Sequence, residues 1–374
     1  MPTRFVDLTN VAQFGTLDVF ASLAAQARDQ TIAAYGEDKV FQTIDEGFKI
    51  HNRLVRQMIS ERVQFTTGRL FRYGGDPMSE MQRLDEYGTP DAQRRMTGAT
   101  LGLPLDYFGI AVQWTRKFMQ NNTVEDLLKE AIAARLAHIR RVRREILRAL
   151  FTPTNNVNYE DELVDYLNYP LRALLNADGA PIPPNPFTGE DFDPTTHTHY
   201  LFATSINDTA VALLIKTVQE HGVDGTLRLE ISQTDEPAVR ALNGFLAALP
   251  VNVEEAPGFQ GFGSSGAIAQ GRAQVINTSD RYIGVYGAAQ VWVKNWQFPG
   301  YMDCWDDGSR PIAIRTRANN PSGFELQIAY ENETFPLRAR VLDAEFSAGV
   351  LVRHKAAVLY VHAGATQYVM PTIP

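Results

Sequence analysis

About fifty consecutive residues with little to bury lie between two segments that bury a great deal, and this constrains the fold more than any other feature. Residues 62–112 are punctuated by Gly68, Gly74, Gly75, Pro77, Gly88, Pro90, Gly98, Gly102 and Pro104. They are dense in charge, with Arg72, Asp76, Glu80, Arg83, Asp85, Glu86, Asp91, Arg94 and Arg95. Apolar residues are sparse in the middle, and the ends read as strands, Phe65 to Tyr73 going out and Tyr107 to Trp114 coming back. Two strands without a core are marginal in water, so this excursion needs a surface to lie on.

The flanks are helical. Leu17, Phe20, Leu23, Ala24 and Ala27 fit one helical face. Val40, Ile44, Phe48, Val55 and Ile59 fit another, and Gly36 breaks the two. Residues 1–15 lack periodicity and read as an extended arm. Residues 122–151 give the clearest helix, capped by Asn122 or Thr123, with Glu125 and Asp126 in the first turn. Leu128, Ile132, Leu136, Ile139, Val142, Ile146 and Leu150 form its apolar stripe. Arg140, Arg141, Arg144 and Arg148 lie opposite, as a solvated face, a face that pairs with a neighbouring chain, or a nucleic-acid contact.

Residues 152–200 read as loops, with prolines at 181, 183, 184 and 186. Beyond them the pattern is mixed. Helices are expected over 205–221 and 236–249 and a strand over 226–232. Later strands fall at 282–286, 290–293, 312–315, 324–331, 337–342 and 356–361.

Composition excludes several classes. The chain has 374 residues, 44% hydrophobic and 21% charged, enough for two or three units or one large one, and too apolar for disorder. Net charge is −8, from 43 acidic and 35 basic residues, which argues against a surface built wholly to bind nucleic acid. Cys304 is the single cysteine, so no intrachain disulfide and no cysteine-rich zinc module can form. No run of 18 apolar residues and no signal-like N-terminus occurs, so a soluble protein of a reducing cytoplasm is expected. Only seven of the 35 basic residues are lysines. Arginine suits bidentate pairing at interfaces, although codon bias gives the same imbalance.

Short motifs offer little chemistry. Gly261-Phe-Gly263-Ser-Ser-Gly266 matches a dinucleotide fingerprint but lacks the strand before and the helix after it, so a loop is the better reading and no cofactor is expected. Glu190, Asp191, Asp193, His197 and His199 could ligate a divalent cation, but the helical His-x-x-x-His spacing is absent. A polar loop of solvated charges is preferred, and no metal is expected. Asp303, Asp306 and Asp307 read as a turn beside a strand, and Cys304 as a packed residue.

The order of parts, arm, charged excursion, long helix and then mixed α/β, ends in a strand-rich stretch. It contains Ile283-Gly-Val-Tyr-Gly, Asp306-Asp-Gly-Ser-Arg-Pro-Ile-Ala-Ile-Arg315, Phe335-Pro-Leu-Arg-Ala-Arg340 and Gly349-Val-Leu-Val-Arg-His-Lys-Ala-Ala-Val-Leu359. This layout resembles the tailed-bacteriophage major capsid proteins of the Hong Kong 97-type fold, over residues 1 to about 362. The resemblance implies an α+β capsid fold. It divides the chain into an N-terminal arm and helices (1–61), an E-loop (62–115) and a peripheral domain (116–199) with spine helix 122–151. An axial domain (200–285) and completing strands plus tail (286–374) follow.

It further implies a non-enzymatic shell protein of the virion, assembled in the host cytoplasm as hexamers and pentamers around double-stranded DNA. Scaffolding, portal and decoration proteins would be partners, and no membrane would be. Candidate inter-subunit contacts are Arg72, Arg83, Asp85, Glu86, Arg94, Arg95, Arg140, Arg144 and Arg148. Some members of the family crosslink an E-loop lysine to a neighbour's asparagine. No lysine lies between Lys49 and Lys117 here, so no such bond is expected. An encapsulin-type compartment is the alternative with the same fold. A cytoplasmic α/β enzyme using the 261–266 loop is the alternative outside it.

Overall fold

The structure is a computed structural model that describes residues 29–74, 98–248, 280–334 and 337–373, with isolated positions at 23, 27, 83, 84, 86 and 88. The N-terminal arm, most of the excursion's middle and the 261–266 loop lie outside the described residues.

Two long helices form the frame. Glu37–Ser60 buries Val40, Phe41, Ile44, Phe48, Val55 and Ile59 along one face. Gly36 separates it from the short helix Ile32–Tyr35 and sits at φ +108°, a conformation that an L side chain resists. Val124–Phe151 runs 28 residues, about 42 Å at 1.5 Å per residue. Thr123 is its cap: the hydroxyl accepts from the Asp126 amide and the Asp126 carboxylate accepts from the Thr123 amide, a reciprocal capping box. Asn122 serves differently, its carbonyl accepting from the Ile32 amide at 3.2 Å.

Four sheets occur among the described residues. The largest has seven strands, in the order Tyr200–Ala203, Ala356–Val361, Tyr301–Asp306, Leu227–Ile231, Ala289–Lys294, Asp280–Tyr286 and Phe245–Ala247. Tyr301–Asp306 is buried along its whole length. Successive side chains of a strand point to opposite faces. Tyr301 and Trp305 therefore join the core under the long helix, while Met302 and Cys304 join the core under helix Asp208–Gln219. One sheet thus fastens two cores together. Cys304 is the packed residue expected, and burial raises its thiol pKa.

The excursion departs from the sequence reading. Its outgoing and returning strands do not pair with each other. Val63–Thr66 runs parallel to Ile312–Arg315 in a three-stranded sheet with Ser347–Val350. Tyr107–Thr115 pairs along nine positions with Leu337–Glu345, which pairs in turn with Gln327–Thr334. The hairpin proper is shorter, Leu70–Tyr73 against Ala99–Gly102, and it continues through Asn168–Leu171 to Asn156–Glu160. Those last two strands lie in the segment read as loops. The helix expected over 236–249 ends at Arg240, because Ala241–Gly244 turns, with Gly244 at φ +86°, into the strand Phe245–Ala247.

Candidate assembly surfaces and a histidine cluster

The arginine excess has a visible use inside the chain. Arg315 and Arg353 are both buried, and both serve the base of the hairpin. Arg315 donates to the Leu103 carbonyl at 2.9 Å, the Tyr169 hydroxyl at 2.6 Å and the Asp161 carboxylate at 2.9 Å. Arg353 donates to the carbonyls of Ala173 (2.6 Å) and Leu174 (3.1 Å), to Asn176 Oδ1 (2.9 Å), and to the Tyr73 hydroxyl. The Asp178 carboxylate, 3.1 Å away, balances its charge. A lysine offers one point charge and cannot span such a set, whereas a guanidinium can. Arg69 adds an outer pair with Asp165 at 2.7 Å.

A third buried arginine ties the first long helix to the large sheet. Arg62, just past Ser60, pairs with Glu230 at 2.8 Å and with Asp303. Gln297 donates to Asp303 at 2.6 Å, and the Trp305 indole donates to Glu230 at 3.2 Å. Burial raises the Asp303 pKa, Arg62 opposes that rise and Glu230 adds to it. Asp306 accepts from the amides of Asp224, Gly225 and Gly308, and Asp307 accepts from Thr226. Asp307 opens the turn expected there, and Asp306, the last residue of the strand, braces it. Asp303 is instead part of a buried ion network inside a strand.

The candidate contact residues fall into separate groups. Arg72 is exposed on the hairpin, and Arg83 and Glu86 are exposed beyond it. Asp85, Arg94 and Arg95 lie outside the described residues. Arg140, Arg144 and Arg148 form an exposed row on the long helix. Arg141, from the same expected face, folds back instead: it pairs with Glu145 at 2.9 Å and stacks over the Phe108 ring at 3.8 Å. The hairpin also presents apolar side chains that the sequence reading passed over. Val157, Val164, Tyr166 and Leu167 are exposed on the outermost strand of the hairpin sheet and the turn after it, and Tyr166 is 68% exposed.

The polar cluster near residue 190 does not survive as a unit. Asp193 caps its own turn through Thr195 and Thr196. Asn185 N–H donates to the Glu190 carbonyl oxygen at 2.9 Å, and the Glu190 and Asp191 side chains are exposed. His197 and His199 are not solvated loop residues, a correction to the sequence reading. They turn inward to meet His221, which follows the C-terminus of helix Asp208–Gln219. His199 and His221 are buried and His197 is partly so. The three Nε2 atoms stand 3.2, 3.0 and 3.1 Å apart. His199 Nδ1 donates to the Ala356 carbonyl at 2.6 Å. The Phe192 ring covers the cluster, with centroids 4.8 Å from His197 and 4.3 Å from His221. Burial lowers all three pKa values, that of His199 to about 3. His221 was missed because it lies far along the chain and carries no motif.

No protein-family model and no curated protein matches this sequence. Solved structures do match. A chain from the structure titled Mycobacterium phage Patience matches with a TM-score of 0.60 at 21% identity, covering 90% of this chain and 91% of that chain. The capsid of the native GTA particle matches with a TM-score of 0.42 at 12% identity, over 82% and 90% of the two chains. The holo-SrpI encapsulin complex from Synechococcus elongatus matches with a TM-score of 0.40 at 13% identity, over 84% and 90%. The fold is therefore an α+β, Hong Kong 97-like capsid fold. No helix among the described residues is long and apolar enough to cross a membrane.

Proposed function

We propose that this chain is a tailed-phage major capsid protein, a structural subunit that assembles into an icosahedral head around double-stranded DNA and catalyses nothing. The observation that carries this reading is the fold held in common with the Mycobacterium phage Patience chain over nine-tenths of both chains. The anchored hairpin supports it. Two buried arginines fix its base while its outer side carries exposed apolar and charged residues, the arrangement expected of an arm that crosses to a neighbour in a closed shell. In this reading residues 62–115 are the E-loop, Val124–Phe151 is the spine helix and the seven-stranded sheet belongs to the axial domain. The exposed row Arg140, Arg144 and Arg148 then meets carboxylates of an adjacent subunit. DNA is enclosed without sequence-specific contact, in keeping with a net charge of −8. Assembly takes place in the host cytoplasm, with scaffolding and portal proteins as partners.

Electron microscopy of the expressed chain, with its scaffold if one is encoded beside it, tests the reading. Shells or ring-shaped capsomers are expected, and denaturing gels of them should run as monomer, because the hairpin carries no lysine for an isopeptide bond. A monodisperse monomer under all conditions overturns the proposal. Shells from the native source that hold a protein cargo and no DNA overturn the phage reading in favour of a compartment.

A further inference from the structure

We propose that His197, His199 and His221 form a metal site, a three-imidazole tripod for a zinc-like divalent cation. The inference rests on these three side chains and is independent of the shell reading.

The geometry carries it. Three Nε2 atoms form a nearly equilateral triangle with edges of 3.2, 3.0 and 3.1 Å. Such a triangle places its centre about 1.8 Å from each corner, so an ion at the usual Zn–N distance of about 2.0–2.1 Å sits about 1 Å above the plane. That is the apex of a shallow tripod.

Hydrogen bonding accounts for only part of the triangle. A backbone carbonyl can only accept, so the proton of neutral His199 is on Nδ1, toward Ala356 O, and its Nε2 presents a bare lone pair to the other two rings. This carbonyl–imidazole arrangement is the one that orients metal-ligating histidines. His221 places its Nε2 in the triangle although its Nδ1 is then buried without a partner. Turned that way, its Nε2–H can donate to the His199 lone pair at 3.1 Å, but that one lone pair cannot also take a proton from His197, so the three edges cannot all be hydrogen bonds. A cation at the apex supplies what the protein does not.

The surroundings suit a structural ion. Glu220 Oε1 lies 3.7 Å from His197 Nε2, near enough for a small rotation to bring a carboxylate or its bound water into the fourth position. Lys355, the nearby cation, is already paired with Asp224 at 3.0 Å and donates to the Gly222 carbonyl at 3.0 Å. The ligands come from the segment leading into strand Tyr200–Ala203 and from the end of helix Asp208–Gln219. An ion would clip that segment to the helix beneath it.

The test uses untagged full-length protein, stripped with chelator and titrated with Zn²⁺ or Co²⁺ alone. One equivalent per chain is expected, with a higher melting temperature and, for Co²⁺, visible absorption bands of a four-coordinate nitrogen-rich site. His197→Gln, the least buried ligand, should weaken binding at least tenfold while leaving the circular dichroism spectrum intact. His221→Gln should do the same, and His362→Gln, an exposed histidine elsewhere, should bind as the wild type does. Folded wild-type protein that takes up no Co²⁺ with such bands overturns the proposal. So does equal binding by His197→Gln and wild type.

Discussion

His51 Nε2 stands 3.0 Å from His138 Nδ1 where the two long helices face each other. His138 Nε2 lies 2.9 Å from the Phe324 carbonyl, so His138 donates there and accepts from His51. Both rings are buried and neutral. Burial, with the His138 and Arg135 charges adding to it, drives His51 down to about 2; burial, opposed by the hydrogen bond to Phe324, drives His138 to about 4. The unfolded chain takes up these protons near the ordinary value of 6.5 while the folded chain refuses them. Stability is therefore complete above that pH and falls as the pH drops below it. Between pH 5.5 and 4.5, wild type should lose about 1.4 kcal/mol per pH unit more than His51→Gln in urea unfolding, one proton's worth. Parallel curves would refute the assignment.

Arg353→Lys keeps the charge and loses the fork. It strands the carbonyls of Ala173 and Leu174 and weakens the hold on Tyr73 and Asp178. Breaking a buried pair of this kind typically costs about 3–5 kcal/mol. Urea unfolding should show a loss of that order or, where expression fails, only insoluble protein. A loss under 1 kcal/mol would mean that the hairpin base is held elsewhere.

Tyr73 and Ala99 are cross-strand partners, so a two-residue turn can join them. Replacing residues 74–98 with Asn-Gly should leave the unfolding free energy within about 1 kcal/mol of wild type, because the replaced segment is sparse in apolar residues. The same variant should yield no stable shells by sedimentation. Wild-type particle yield would contradict the role given to the hairpin.

Arg140→Glu with Arg144→Glu reverses charge on the exposed row of the long helix. Exposed substitutions away from core features usually change stability by about 0.5 kcal/mol or less, so the melting temperature should hardly move. Particles should fall apart at lower denaturant than wild type. Unchanged particles would leave the row a solvated helix face.

The two long helices were legible in the sequence because their apolar residues repeat locally, Val40 to Ile59 and Leu128 to Leu150. Strands Ile312–Arg315 and Ala356–Val361 were legible for the same reason. Pairing was not. Nothing local in Tyr107–Thr115 says that its partner is Leu337–Glu345, more than two hundred residues on. Asp303 looked like a turn residue because a carboxylate inside a buried strand makes sense only once Arg62 is seen beside it. His197 and His199 looked solvated because His221, which draws them inward, lies beyond a strand and a helix.

The arginine-held hairpin base has a mechanical consequence. In the proposed shell, subunits around five-fold and six-fold axes would meet at different angles, and some part of each would have to bend to allow it. A stem fixed by Arg315 and Arg353 at Leu103, Tyr169 and Ala173 cannot be that part without breaking buried charge-assisted bonds. In the proposed shell the stem's direction would then be set when the chain folds and not when it assembles.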